Sequence, residues 1–81
     1  SSNANELIVY ICRMSSTEYT LSENGTVIEY HLIVKTMRKN EDYKFYSEKE
    51  RDKAFNEALG EKYLLLAHRY TADSEKTPEE L

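Results

Sequence analysis

Three side chains of this 81-residue chain have the chemistry for nucleophilic catalysis or metal binding: Cys12, His31 and His68. A thiolate at Cys12, with either histidine as its base, would make a nucleophilic pair. Its neighbours oppose that role. Tyr10 and Ile11 desolvate a thiolate and raise the thiol pKa, and only Arg13 lowers it. Cys12 reads instead as a small apolar residue of a buried strand. The three positions also lack the pair of closely spaced ligands that metal sites commonly use, so no metal or other cofactor is expected. The two glycines stand apart, which excludes a Gly-rich phosphate loop, and neither HExxH nor GxSxG occurs. These residues give no basis for an enzyme, and the chain is expected not to be one.

The charged residues are more informative. Eleven Lys and Arg face fifteen Asp and Glu, a net charge of −4. That balance argues against a general nucleic-acid coat, because polyanion binding needs clustered bases. The charge is uneven, with a net −3 over residues 1–34, +2 over 35–53 and −3 over 54–81. Lys35, Arg38, Lys39 and Lys44, together with Tyr43, are therefore candidate nucleic-acid contacts. Lysines at turns and outer strand positions also serve solubility and guard sheet edges.

Chain length allows one small domain with a thin core. One cysteine excludes an internal disulfide, and the longest apolar run, Leu7–Cys12, is far short of the roughly 20 residues of a membrane helix. A free cysteine and a start unlike a signal peptide point to a cytoplasmic setting. Residues 1–5 are expected to be a flexible start or cloning remnant. Residues 6–71 form a single α+β domain, and residues 72–81 a polar mobile tail.

The elements follow from period and punctuation. Glu6–Met14 is rich in β-branched and aromatic residues and reads as a strand, with a bulge or bend at Ser15–Ser16. Glu18–Glu23 alternates. Asn24-Gly25 fits a two-residue hairpin turn, which would set Leu21 opposite Ile28, Tyr19 opposite Tyr30 and His31 opposite Glu18. The next strand is Thr26–Met37, with Ile28, Tyr30, Leu32 and Val34 on its core face. A second turn at Lys39-Asn40 leads to a strand over Asp42–Tyr46, setting Thr36 opposite Tyr43 and Val34 opposite Phe45. Ser47 with Glu50 is a capping box, and Ala54, Phe55, Ala58 and Leu59 make one helical stripe. Leu59 ends the helix and Gly60 follows its cap. Lys62–Tyr70 is then a short fourth strand. The alternative is a helix continuing to about Tyr70, because Phe55, Leu59, Tyr63, Leu66 and Tyr70 also share a helical face. Thr77-Pro78-Glu79-Glu80 has the form of a helix start.

The fold class is thus an antiparallel three-stranded β-meander followed by one helix on one sheet face. One helix covers one face. The opposite face carries Val27, Ile33, Met37 and Tyr46, which are the candidate protein interface. The expected function is a small, non-enzymatic protein–protein interaction or regulatory module, homodimeric and also binding an unidentified protein. The alternatives are a nucleic-acid-associated regulator using the basic hairpin, or an acidic inhibitor of a basic partner.

Overall fold

A computed structural model describes residues 18–81. Three strands, β1 (Ile28–Thr36), β2 (Asn40–Phe45) and β3 (Leu64–Asp73), form an antiparallel sheet in the order β2-β1-β3. Helix α1 (Glu48–Ala58) connects β2 to β3 and packs on one face of the sheet. A single 3-10 turn, Pro78–Glu80, closes the chain. The expected strand Glu6–Met14 and the bend at Ser15–Ser16 lie outside the described residues, as does Cys12.

The alternation of β1 explains the core. Tyr30, Leu32 and Val34 project to the helix side and are buried. Ala54, Phe55 and Ala58 of α1 pack with Leu32 and Val34, joined by Phe45, Leu64 and Ala67. The helix starts at the predicted cap, where the Ser47 hydroxyl accepts the Glu50 amide at 3.2 Å. It stops at Ala58 with Leu59 as its C-cap. Gly60 follows but does not have the left-handed conformation expected of a cap glycine; its amide donates to the Glu57 carbonyl in a tightened last turn. The chain from Leu64 is strand, not continued helix. Central strand β1 has two edges to satisfy, and β3 pairs along one of them from Ile28 to Thr36.

The simple meander is corrected by that pairing. A strand edge takes one partner at each residue. β3 holds one edge of β1, and β2 holds the other from Tyr30 to Lys35. The segment before β1 is left with the last stretch of the second edge. There Leu21 bridges Val27, and the Ile28 amide donates to the Thr20 carbonyl.

Both expected turn registers are corrected too. At the first turn the loop has three residues, with the Ser22 amide donating to the Thr26 carbonyl and the Gly25 amide to the Ser22 carbonyl. Gly25 alone in this turn has positive φ, at 82°. That is the three-residue hairpin loop with a left-handed glycine at its end, not the two-residue turn. Leu21 therefore meets Val27 instead of Ile28, and Tyr19 is not opposite Tyr30. At the second turn Met37 and Arg38 form the tip, and the Thr36 amide donates to the Lys39 carbonyl. The Thr36 hydroxyl accepts the amides of Arg38 and Lys39 at 3.2 Å each, so this hydroxyl organises the turn that Asn40 was expected to make. Phe45 meets Tyr30, and Tyr43 meets Leu32. The register differs from expectation by four residues, an even number, so every side chain keeps its face.

β3 continues through Ala72 and Asp73, beyond the expected domain boundary at 71. The Ser74 amide and the Lys76 carbonyl bond Val27. At the expected helix start, the Glu80 carboxylate accepts both the amide and the hydroxyl of Thr77.

Candidate functional site

The sheet face opposite α1 gathers polar and titratable side chains. Glu29, His31, Ile33 and Lys35 alternate onto it from β1. Register places Lys44 and Tyr70 on either side of His31, and Asp42 and His68 on either side of Ile33. His31 is the centre. Its Nδ1 lies 2.9 Å from Asp42 Oδ1 and its Nε2 2.8 Å from Glu29 Oε1. The Tyr70 hydroxyl donates to the other Asp42 oxygen at 2.7 Å, and the Tyr70 and His31 rings stack with centroids 4.6 Å apart. Lys44 Nζ is 3.8 Å from Glu29 Oε2.

Two carboxylates on one imidazole are both satisfied only when the two ring nitrogens each carry a proton, so the arrangement favours the imidazolium. Burial pulls the His31 pKa down, but the hydrogen bonds and charges of Glu29 and Asp42 outweigh it and leave the pKa raised. Hydrogen bonds from His31 and then Tyr70 hold Asp42 below the usual carboxylate range. The bond to Asp42, with burial, pushes Tyr70 up. A ring in this state has no lone pair for a substrate proton or a metal. Among the described residues no group of three His, Cys, Asp or Glu is placed to hold a metal ion. The cluster is an ion-paired latch across all three strands.

The helix face holds a second cluster that the sequence reading missed. Arg51 is buried, with 5% of its surface exposed. Its guanidinium donates to the carbonyls of Tyr70 at 3.2 Å and His31 at 3.4 Å, and its Nε donates to Asp52 at 2.7 Å. The same group lies over the Tyr30 ring. It binds α1 to the β1–β3 ladder. The available signal was weak: position 51 lies three before Ala54 and four before Phe55, on the apolar stripe.

The candidate interface residues do not form one surface. Val27 is fully buried and so offers no contact area. Ile33 is half-buried on the outer face, Met37 is exposed at the β1–β2 turn, and Tyr46 packs edge-on against Tyr19 at 5.3 Å. The candidate nucleic-acid residues are also divided. Lys35 and Lys44 lie on the outer face and Arg38 at the turn, whereas Lys39 reaches the Tyr43 hydroxyl on the helix side at 3.4 Å. His31 finds its acids at Glu29 and Asp42, not at Glu18. His68 is exposed on β3, its ring 6.1 Å from that of Tyr70.

The largest exposed apolar side chains lie elsewhere. Leu59, Tyr63, Leu65 and Leu66 follow α1 into β3, and Met37 stands at the neighbouring turn, all between 42% and 70% exposed. Pairing of Thr36 with Leu64 and Lys35 with Leu66 sets them at one end of the sheet, where a one-residue irregularity opposite Lys35/Thr36 leaves Leu65 unpaired. No helix among the described residues is long and apolar enough to cross a membrane. No protein-family model, curated protein or solved structure matches this chain.

Proposed function

We propose that the chain is a small non-enzymatic interaction module that docks another protein surface through the apolar end of its sheet. The observation that carries this reading is the group of exposed side chains Met37, Leu59, Tyr63, Leu65 and Leu66. Five large apolar groups at one end of so small a domain leave hydrophobic area that a protein partner would remove from water. The basic hairpin supports a nucleic-acid reading less well, because its cations are split between two sheet faces and Lys44 already neighbours Glu29.

A photoreactive residue at position 65 is the direct test. In extract from the source cells it should give a discrete protein adduct, while the same residue at position 79 should not. Tyr63→Glu should abolish the adduct while circular dichroism stays unchanged. Adducts of equal yield from positions 65 and 79, or an adduct that survives Tyr63→Glu, would overturn the reading.

A further inference from the structure

We infer that the partner is a protein with an acidic segment, in which Asp or Glu stands beside a large apolar side chain. The segment seats where the β1–β2 turn meets the connection from α1 to β3. This rests on the interaction reading above and states the chemistry of its partner.

Two adjoining cavities carry the inference. The first, about 470 Å³, opens between the turn and the connection and is lined by Thr36, Arg38, Lys39, Glu61, Lys62 and Tyr63. Three cations and one acid make it net positive. The second, about 210 Å³, has an apolar floor of Leu32, Val34, Ala54 and Ala58. Lys39 and Glu61 line both, so they stand where the basic cavity meets the apolar one. Lys39 Nζ is 3.4 Å from the Tyr43 hydroxyl, and Lys62 Nζ is 5.5 Å from the centre of the Tyr63 ring. Tyr63 joins this site to the exposed apolar end of the sheet.

Charge along the sheet selects the same end. The Thr26 hydroxyl donates to Asp73 at 3.0 Å, and Glu23 and Glu75 flank these two residues. The closing turn after Lys76 adds Glu79 and Glu80. The start of β1 is therefore acidic. At its other end stand Lys35, Arg38, Lys39 and Lys62, against Glu41 and Glu61. A chain of net charge −4 thus has one positive end, which attracts an acidic partner while the rest repels it.

A nucleic acid fits these cavities less well. A continuous polyanion would meet Glu41 and Glu61 as well as the cations, and its phosphates gain nothing from an apolar floor. A protein segment can give single carboxylates to Arg38, Lys39 and Lys62 and an apolar side chain to the floor beside them.

A display library of random peptides, selected against the full chain at low salt, is the probe. Enriched peptides should place Asp or Glu next to Leu, Phe or Trp, and their binding should weaken as salt rises. Lys39→Glu with Lys62→Glu should weaken the best peptide about tenfold. Arg38→Glu should act in the same direction, should the double variant disturb the turn. Glu61→Lys should tighten the peptide, a gain that a merely structural residue would not give. Lys76→Glu, at the acidic end, should change little.

Enriched peptides without acids, or no enrichment at all, overturn the inference. So does a peptide that Glu61→Lys does not tighten, or one that single-stranded DNA of equal charge displaces. A discrete adduct at position 65 with a protein that lacks such a segment would overturn the acidic partner and leave the interaction reading standing. An adduct from position 65 to residues of the same copy would assign this end to the chain itself and overturn both.

Discussion

Protonated His31 donates one ring N–H to Glu29 and the other to Asp42 and so joins the two anions. Its charge ties the cluster to pH. A histidine whose pKa is raised on folding adds stability that is complete below its unfolded pKa and is lost as pH rises through the folded value. Asp42 is held low, so its contribution is complete above the ordinary carboxylate range and fades as pH falls through its lowered pKa. Stability should therefore peak between the ordinary carboxylate range and the ordinary imidazole pKa, decline as pH rises from there through the raised imidazole pKa, and level off above it. Thermal unfolding from pH 5 to 9 checks this, and His31→Gln should flatten the alkaline decline. Arg51 gives a separate expectation at the same scale. Arg51→Ala removes two bonds from a charged donor to sheet carbonyls and opens space over Tyr30, so it should cost about 2–4 kcal/mol in urea unfolding. Arg69, more exposed and sharing Asp52, should cost far less when replaced.

Local chemistry decides the elements and their turns. Ser47 at the start of α1 satisfies the Glu50 amide, and Ser47→Ala should cost about 1 kcal/mol. Gly25 has open space around the position of a Cβ, so its requirement is conformational: φ of 82° is strained for any other residue. Gly25→Ala should destabilise by about 1 kcal/mol, measured by the same unfolding, with no change in the fluorescence of the tyrosines at the core. The cap and the strand periods were legible because each is written within a few residues. The turn registers were not. Asn24-Gly25 is compatible with two- and three-residue loops, and at the second turn the Thr36 hydroxyl made a Ser/Thr turn with the amides of Arg38 and Lys39 in competition with the turn that Asn40 offered.

At the scale of the molecule, one helix on three strands gives a small buried set among the described residues: Val27, Tyr30, Leu32, Val34 and Ala58. Leu32 is at its centre, 1% exposed, facing the helix from the middle strand. Leu32→Ala should cost about 3 kcal/mol, a large share of the stability of a domain this size, and should lower both the unfolding midpoint and the cooperativity of the transition. A thin core also gives physical sense to exposed leucines at one end of the sheet. The helix is eleven residues long and covers the middle of one face only, while Leu66, paired with Lys35, lies on the opposite face and Leu65 stands at the irregularity beside it.

The sequence by itself determined what short-range periodicity can determine. The period-2 pattern of residues 28–34 placed Tyr30, Leu32 and Val34 inward. The Ser47 cap and the 54, 55, 58 stripe placed α1, and the helix stop at Leu59 left the following residues free to form a strand. Tertiary structure decided the rest, because strand partners compete for edges and no residue records the outcome of that competition. β3 took the edge that a meander would have used, confining residues 20–22 to Val27 and Ile28. The shifted second hairpin brought Asp42 within reach of His31, which turned an isolated histidine into a doubly paired cation. Arg51 became a core residue only when β1 and β3 presented two carbonyls beneath it.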